Sequence, residues 1–307
     1  TALESFIGEA AMAVQYRVEG TTEWTTVDAV KEIEKEPYDV EDYFKADIDK
    51  LTAGTTYEYR IGKKTSTDEI NDWSKIYTFT TEAENVEEFS FVAIGDSQGA
   101  DWNGDLMSGR GYKYAQEALN QAVADVENPA FILHTGDITE HGTKQNQWNE
   151  YFRALGDLGK TIPHFAAVGN HDVWSESENK APGSAVNFDL HFNHPNNGGS
   201  AAFAEDVIEK VDAYNHASSS SLVRNLDETT YSFNYGNAHF VVLNTGAYDE
   251  IAGPIDKIII EAQTQWLIDD LEANIEGAKK YGMQGFQFKA PDTTELRKAL
   301  REQGVNI

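Results

Sequence analysis

The sequence predicts an α/β (α+β) fold class, in which an N-terminal β-sandwich precedes a unit of alternating strands and helices. Short alternating strands separated by turn residues occupy residues 1–83, as in β-sandwich modules. An acidic stretch without an apolar pattern follows at residues 82–88. Beyond it, apolar strands are separated by segments of helical periodicity. We therefore expect two domains, residues 1–83 and residues 88–307.

The N-terminal strands are predicted from residues that alternate between apolar and polar. Residues 12–18, 24–27 and 44–48 show this pattern, and a turn at Gly20 separates the first two. In residues 51–61 a turn leads into a strand that places Tyr57, Tyr59 and Ile61 on one face. The acidic residues 31–42 are predicted to form a loop.

The second unit is predicted from longer apolar runs. Strands are expected at residues 89–94, 129–133 and 164–168, and helices at 114–126, 148–158 and 262–273. A Gly-Asn pair at 236–237 predicts a hairpin spanning 231–243. Residues 175–221 form a long insertion with few signals, and residues 282–307 carry no readable motif.

Composition restricts the functions that this chain can have. The 24 basic and 52 acidic residues give a formal net charge of −28, which disfavours general nucleic-acid binding because phosphates are repelled. There are no cysteines, so thiolate metal sites and cysteine nucleophiles are excluded. No apolar run is long enough to predict a membrane span. The first residues lack signal-peptide character, so any signal is expected to be absent from this sequence.

Three polar motifs each follow an apolar strand: Gly95-Asp96, Gly136-Asp137 and Gly169-Asn170-His171-Asp172. The carboxyl ends of strands in α/β sheets are where functional sites are built, and glycine permits sharp turns there. Carboxylate and amide oxygens suit hard metal ions, and a carboxylate between two ions can bridge them. His171 can act at a substrate as a general acid, and Asp172 can orient its imidazole.

With these motifs, residues 89–273 resemble the calcineurin-like metallophosphoesterase superfamily. Residues 44–83, with the Leu-x-x-Gly-Thr-x-Tyr-x-Tyr-Arg pattern at 51–60, resemble the fibronectin type III-like N-terminal domain of purple acid phosphatases. The resemblance implies a metallophosphoesterase αββα sandwich. It also implies a hydrolase that cleaves a small phosphate ester through attack by a metal-bound hydroxide.

The resemblance assigns roles to individual residues. Asp96 would bind the first metal, Asp137 would bridge, and Asn170 would bind the second of two divalent or trivalent ions (Fe, Zn or Mn). His171 would act at the phosphate. Gln98 stands where the family usually has a metal-binding histidine, so an amide oxygen replaces an imidazole there, and Glu140 stands in place of the tyrosine of purple acid phosphatases.

The histidines of the chain depart further from the family pattern. The family supplies metal-binding histidines after the 262–273 helix, whereas the last of the eight histidines here is His239. We therefore expect a C-terminally incomplete or degenerate site, and a non-catalytic cell-surface or adhesion module is the alternative function. His141 is a candidate substrate contact. His191 and His194 are either a chelating pair or part of a loop, and Asn244 either approaches the site or serves a turn.

The family resemblance also suggests a location. We expect a bacterial extracellular or cell-surface protein. Its partner is expected to be a phosphate-ester small molecule rather than a nucleic acid.

Overall fold

The structure, a computed structural model, describes residues 11–32, 43–65, 69–99, 111–173, 186–198, 228–244, 263–264 and 266–267. Residues 33–42 of the loop predicted at 31–42, most of the 175–221 insertion, residues 282–307 and most of the 262–273 helix lie outside these ranges. Residues 263–264 and 266–267 are helical, as expected for that segment. None of the helices in the described ranges has the length and apolar character needed to span a bilayer.

The N-terminal β region forms one five-stranded antiparallel sheet and one small two-stranded sheet. In the larger sheet the order is β2-β1-β5-β6, and β7 also pairs with β5. β3 pairs with β4 and extends to Glu32. Residues 31 and 32 therefore belong to a strand, although they were predicted to lie in a loop. The strands are β1 (Ala11–Val18), β2 (Thr25–Asp28), β3 (Val30–Glu32), β4 (Tyr43–Lys45), β5 (Thr56–Lys64), β6 (Ile70–Asn71) and β7 (Tyr77–Thr80).

Aromatic pairs hold β5 and β7 together on one face of the larger sheet. Tyr57 is opposite Phe79 in the register, and their rings stack at 5.6 Å. Tyr59 is likewise opposite Tyr77 in the register, and their tilted rings lie 5.5 Å apart. Cross-strand aromatic pairs of this kind stabilise a sheet, which is why the alternating pattern at 57–61 predicts this strand correctly.

The C-terminal α/β region is built on a three-stranded parallel sheet with the order β10-β9-β8. Its elements are β8 (Val92–Ile94), α1 (Lys113–Asp125), β9 (Ile132–His134), α2 (Gln145–Leu155), α3 (Leu158–Thr161), β10 (His164–Ala166), α4 (Val186–His191), β11 (Tyr231–Tyr235) and β12 (Ala238–Val242). The mixed strand and helix content confirms the α/β prediction. The helix predicted over 148–158 ends at Leu155 instead, because Gly156 adopts φ 55° and donates its N–H to the Phe152 carbonyl.

Two layers cover the parallel sheet. On one side, Leu119 of α1 and Trp148 of α2 pack in a buried cluster with Val92 and Ile132 of the strands. On the other side, the Phe131 ring stacks on the ring of Phe91. It also makes edge-to-face contacts with four further aromatic rings: Phe165, Phe233, Tyr235 and Phe240. Burying both faces is what a parallel sheet requires.

The two regions are joined by specific polar contacts. The Tyr59 hydroxyl donates to the Lys160 carbonyl at 2.7 Å. The Lys45 ammonium contacts both carboxylate oxygens of Glu228 at 3.1 Å, and this pair is largely buried, with 10% and 14% of the two side chains exposed. The Asn193 side chain donates to Asp47 at 2.8 Å. The contacts come from β5, from β4 and from the loop after it, so the junction is broad.

Replacing Lys45 by Met should lower the free energy of unfolding by about 1–3 kcal/mol, because the Glu228 carboxylate would lose its ammonium partner while it stays mostly buried. Urea unfolding followed by circular dichroism measures this change. The matched control is Lys75→Met, which removes the exposed ion pair with Asp157 and should leave the unfolding midpoint unchanged. Equal stability of Lys45→Met and the wild type would show that this pair does not hold the junction.

Candidate functional site

The three polar motifs meet at one edge of the parallel sheet. Ile94 and Ala166 both lie opposite His134 in the register, so the three strands end level with one another. Asp96, Asp137 and Asn170 follow β8, β9 and β10, and therefore lie beyond the carboxyl ends of adjacent strands. The Asp96 N–H donates to the Gly136 carbonyl at 3.1 Å, which ties the first motif to the second.

Asp96 and Asp137 share an unusual backbone conformation. Their φ angles are 51° and 55°, in the left-handed region that most residues with a side chain avoid. Aspartate tolerates this region better than most residues, but the conformation still carries a cost, and such outliers cluster at functional sites. Both carboxylates thus stand at a sharp bend directly after a strand, and only the preceding glycines indicate this bend in the sequence.

Gly169 allows the second and third motifs to touch. A Cβ atom on Gly169 would lie 2.2 Å from the Asp137 Oδ1 atom, which is closer than any real contact. The His171 N–H donates to the same Oδ1 atom at 3.0 Å. The Asp137 carboxylate is therefore fixed by the turn that carries Asn170, and only glycine fits at position 169.

Asp172 holds this turn against the loop after Asp137. Its Oδ1 accepts the Thr139 N–H at 2.9 Å and lies 3.3 Å from the Thr139 hydroxyl, and its Oδ2 accepts the Gly169 N–H at 2.9 Å. Complete burial raises the pKa of Asp172 to about 7, an effect that these backbone donors oppose and the nearby Asp137 charge reinforces. We expected Asp172 to orient the His171 imidazole, whereas its carboxylate bonds are to Thr139 and Gly169.

Replacing Asp172 by Asn should therefore lower both stability and metal affinity. The amide NH₂ group would replace one of two oxygens that accept N–H donors, which should lower the free energy of unfolding by about 1–3 kcal/mol. Loss of the fixed turn should weaken metal binding about 10–100-fold. Urea unfolding and Mn²⁺ titration calorimetry measure the two effects. Unchanged stability together with lost activity would contradict the positioning role and favour direct catalysis by Asp172.

The His171 ring contacts Glu140. The His171 Nδ1 atom lies 3.0 Å from the Glu140 carbonyl oxygen and 3.5 Å from its carboxylate oxygen Oε1. A carbonyl only accepts, so Nδ1 carries a hydrogen, and Nε2 is the ring atom that can exchange a proton with a substrate. Glu140 was not predicted as a site residue, and only its position three residues after Asp137 could have indicated it.

A buried histidine connects the first two motifs. His134 accepts the Gly136 N–H on Nδ1 at 3.2 Å, so its Nε2 carries the hydrogen that faces the Ser97 hydroxyl at 2.9 Å. Burial lowers the pKa of His134 to about 3, which keeps the ring neutral. Ser97 lies within 3.4 Å of the Ile138 carbonyl, to which its hydroxyl donates, and so His134 does not activate it as a nucleophile. His134 is thus a fully buried core residue.

The N-terminus of α2 supports the loop that follows Asp137. Gln147, which is fully buried, accepts the N–H groups of Glu140 and His141 on its Oε1 atom at 2.9 and 3.0 Å. The Trp148 indole donates to the Gly142 carbonyl at 2.9 Å. His141 itself is only 2% exposed, as a packing residue is, and its substrate role stays a prediction.

His191 and His194 are packing residues in the described structure. His191 ends helix α4 rather than lying in a loop, and its ring stacks between Trp148 and Phe152. Its Nε2 contacts the Tyr43 hydroxyl at 3.0 Å, and Nδ1 contacts the Asn187 carbonyl. His194 has Nε2 on the Ala166 N–H and Nδ1 on the Glu228 carbonyl, both at 3.1 Å. Their ring nitrogens are thus engaged within the protein, and a chelating pair is not supported.

Asn244 and His239 are held by local contacts. Asn244 is fully buried, its side chain donates to the Thr229 hydroxyl at 3.0 Å, and its N–H donates to Gln263 at 2.8 Å. It therefore anchors the helical residues 263–264 to the end of β12. His239 contacts the Asn234 side chain across the hairpin at 2.7 Å, so its role is to support the pairing of β11 with β12.

The donors that could hold metal ions are mostly oxygens. Asp96 and Asn170 are exposed, Asp137 is half-buried, and the buried Gln98 Oε1 atom has no hydrogen-bond partner among the described residues. A buried amide oxygen without a partner fits a cation ligand, because leaving it unpaired is costly. No group of three His, Asp or Glu side chains suited to a metal occurs within the described ranges. Asp96, Asp137, Asn170 and Gln98 therefore fit as the oxygen ligands of a metal centre.

Comparisons with known proteins agree with this geometry. The family model for calcineurin-like phosphoesterases matches residues 89–270. The chain belongs to the calcineurin-like phosphoesterase family. The model for the purple acid phosphatase N-terminal domain matches residues 5–81. Both parts of the predicted family assignment are thereby confirmed.

The chain is similar to two curated proteins of Arabidopsis thaliana. One, named "Probable inactive purple acid phosphatase 9", is 23% identical over 220 residues, which are 66% of this chain and 30% of that protein. The other, named "Probable inactive purple acid phosphatase 27", is 26% identical over 140 residues, which are 43% of this chain and 22% of that protein. The chain thus spans less than a third of either relative.

A solved structure shares the fold. It is the purple acid phosphatase PPD1 isolated from yellow lupin (Lupinus luteus) seeds, with a TM-score of 0.56 and 17% identity. The match covers 82% of this chain and 43% of that one. At this level of identity the likeness concerns the fold, and it includes both the N-terminal β region and the α/β region.

Proposed function

We propose that this phosphoesterase is a metal-dependent hydrolase that acts on a small phosphate ester at the edge formed by Asp96, Asp137 and Asn170. The observation that supports it most strongly is the meeting of Asp96, Asp137 and Asn170 beyond the carboxyl ends of three adjacent parallel strands. Five other described residues share the left-handed conformation of the two aspartates, so the support comes from their placement at neighbouring strand ends, where functional side chains converge.

Residues of this chain would bind the metal ions and transfer a proton to the leaving group. Asp96, Asp137, Asn170 and Gln98 would hold two divalent or trivalent ions, with Asp137 between them. When bound, such ions lower the pKa of a water molecule and offset the charge of phosphoryl oxygens. His171 would exchange a proton with the leaving group through Nε2, because Glu140 fixes the ring from the Nδ1 side.

The proposed substrate is a small phosphate ester rather than a nucleic acid. A net charge of −28 repels a polyanion over the whole surface, whereas bound cations can attract a single phosphate group locally.

We also propose that the two domains meet at residues 84–87. This boundary is supported by the ends of the two family matches and by the exposed, irregular backbone there.

A second candidate is a non-catalytic module that keeps the scaffold without turnover. Two observations favour it: the described residues contain no three-residue metal cluster of His, Asp or Glu, and both curated relatives are named as inactive. The two candidates share a fold and differ in metal content, so metal content separates them.

The deciding experiment combines metal analysis with turnover. The protein is dialysed against Mn²⁺ or Zn²⁺, its bound metal is measured by mass spectrometry, and hydrolysis of p-nitrophenyl phosphate is followed. The hydrolase proposal expects at least about one tightly bound ion per chain, with turnover lost in chelator and restored by added metal. Less than about one ion per chain and no turnover would refute it and support the non-catalytic module.

A further inference from the structure

Tyr43, the first residue of strand β4, reaches from the N-terminal β region to two helices of the α/β region. Its hydroxyl lies 3.0 Å from the His191 Nε2 atom, and the Gln145 side-chain amide donates to the same hydroxyl. Gln145 is the first residue of α2, and His191 is the last residue of α4. Tyr43 is only 3% exposed. One buried hydroxyl of the N-terminal region therefore joins the start of α2 to the end of α4.

The direction of these hydrogen bonds follows from the His191 ring. Its Nδ1 atom faces the Asn187 carbonyl, which only accepts, so Nδ1 carries the hydrogen and Nε2 is the acceptor. The Tyr43 hydroxyl thus donates to Nε2 and accepts from Gln145. Phenylalanine at position 43 would keep the ring that packs 4.7 Å from the His191 ring, but it would lose both hydrogen bonds.

The helices α2 and α4 hold one carbonyl of the loop that follows Asp137. The Gly142 carbonyl accepts the Asn187 side-chain amide of α4 at 2.8 Å and the Trp148 indole of α2 at 2.9 Å. Gly142 and both donors are buried. The position of Gly142 therefore depends on how α2 and α4 are placed relative to each other.

Each of these helices carries the link from Tyr43 over a single turn. Trp148 lies three residues after Gln145 in α2, and Asn187 lies four residues before His191 in α4. The His191 ring also stacks on the Trp148 indole at 4.8 Å, so the two helices are in direct contact at this point. A short and fully buried path thus leads from the N-terminal region to the loop.

The same loop holds His171 by its backbone and by its ring. The Gly142 N–H donates to the His171 carbonyl at 2.9 Å. The His171 Nδ1–H donates to the Glu140 carbonyl at 3.0 Å. A displacement of the loop would therefore move the imidazole that is proposed to exchange a proton with the leaving group. Misplacing a catalytic group by about 1 Å can slow a reaction by up to about 100-fold.

We propose that Tyr43 is a positioning residue of the phosphoesterase centre, through which the N-terminal region fixes the loop at residues 140–142 and, with it, His171. The effect on turnover rests on the proposed hydrolase function, whereas the effect on the loop does not. The competing explanation is that the Tyr43 hydroxyl only stabilises the junction. In that case its loss would lower stability without reaching the loop.

The first test follows the Gly142 amide in the metal-free protein by hydrogen exchange and NMR. The reference is the Ile132 amide of β9, which donates to the Pro163 carbonyl and reports global unfolding. In Tyr43→Phe, Gly142 should exchange at least about fivefold faster relative to Ile132, because the loss of one ordinary hydrogen bond changes a local opening equilibrium by about this factor.

The matched control is Tyr59→Phe. It removes a tyrosine hydroxyl that crosses the same junction but donates to the Lys160 carbonyl of α3, not to α2 or α4. The exchange of Gly142 relative to Ile132 should stay as in the wild type.

The second test measures hydrolysis of p-nitrophenyl phosphate by the Mn²⁺-loaded protein. Tyr43→Phe should lower kcat about three- to tenfold at unchanged KM, because proton transfer to the leaving group is needed only in the transition state. Tyr59→Phe should change neither constant. Asn187→Ala breaks the bond to Gly142 directly and should also lower kcat. Combined with Tyr43→Phe, its loss should be smaller than the product of the two single losses, since both act on one loop.

Four outcomes would overturn the proposal. They are Gly142 exchange that keeps pace with Ile132 in Tyr43→Phe, an equal acceleration in Tyr59→Phe, an unchanged kcat in Tyr43→Phe when the wild type is active, and losses that multiply in the double variant. If Gly142 exchange responds as expected but the wild type hydrolyses no ester, Tyr43 still positions the loop and the hydrolase proposal alone fails.

Discussion

Replacing Asp137 by Asn is expected to abolish phosphate-ester hydrolysis and to weaken Mn²⁺ binding about 100-fold or more, while the protein stays folded. Asn tolerates the left-handed φ of 55° and keeps an oxygen that accepts the His171 N–H. What it loses is the negative charge that would lie between the two ions. Titration calorimetry with Mn²⁺ and hydrolysis of p-nitrophenyl phosphate measure the effect.

The matched control is Asp28→Asn on strand β2. Asp28 is 67% exposed and pairs with Lys64 far from the candidate centre, so its replacement removes the same charge without touching the site. It should leave Mn²⁺ affinity unchanged. If Asp137→Asn retained wild-type metal affinity and turnover, the bridging role would be wrong.

Acidification should destabilise this protein strongly, through histidines that are buried in the neutral form. Burial lowers the pKa of His134, His191 and His194 from 6.5 to about 3. Between these two values the unfolded chain binds more protons than the folded one, so stability falls as the pH decreases. Each group contributes about 1.4 kcal/mol per pH unit, which together is about 6 kcal/mol at pH 5.

Asp172 opposes part of this loss. Its folded pKa is raised to about 7 from 3.8, so the folded state takes up this proton first, and stability gains about 3 kcal/mol at pH 5. The net loss from these four groups is then about 3 kcal/mol at pH 5 and about 6 kcal/mol at pH 4, and His164, whose pKa burial also lowers, adds to it. Since domains are typically stable by about 5–15 kcal/mol, a loss of this size is a large part of the stability at pH 4. Urea unfolding measured from pH 7.5 to pH 4.5 gives the slope.

His191→Phe isolates one histidine of this set. Phenylalanine preserves the stack between Trp148 and Phe152 but cannot titrate, so the variant should lose about 1.4 kcal/mol less per pH unit below pH 6.5. Phe152→Leu is the control, because it disturbs the same stack without removing a titrating group. Its cost should be equal at every pH. Parallel pH profiles for His191→Phe and the wild type would contradict a buried neutral His191.

The sequence predicted those features that depend on local patterns. Apolar strands followed by Gly-Asp or Gly-Asn-His-Asp have a fixed consequence, because adjacent parallel strands place their carboxyl ends at the same edge. The alternation around Tyr57 likewise predicted β5. The end of α2 was predicted three residues too late, because a glycine inside a helical apolar pattern does not by itself mark a helix end. The backbone conformation of Gly156 shows that the helix ends at Leu155.

Features that depend on tertiary contacts could not be read from the pattern. Asp172 bonds to Thr139 across the site, and His134 reaches Ser97 in the loop after β8. These partners are 33 and 37 residues apart in the sequence, so no local signal connects them. The prediction of a loop around His191 failed for a similar reason: packing against Trp148 and Phe152 stabilises a short helix that Pro195 and its neighbours did not suggest.

The junction between the two regions affects how the protein can be divided for study. Its hydrogen bonds and the Lys45–Glu228 pair lie beside apolar residues such as Leu190 and Phe192, which line a cavity together with residues of the N-terminal sheet. An isolated α/β fragment would expose this surface to water and leave Glu228 without its cation. Calorimetry of the whole chain should therefore show one cooperative transition, and the N-terminal sheet acts as part of the scaffold rather than as a detachable appendage.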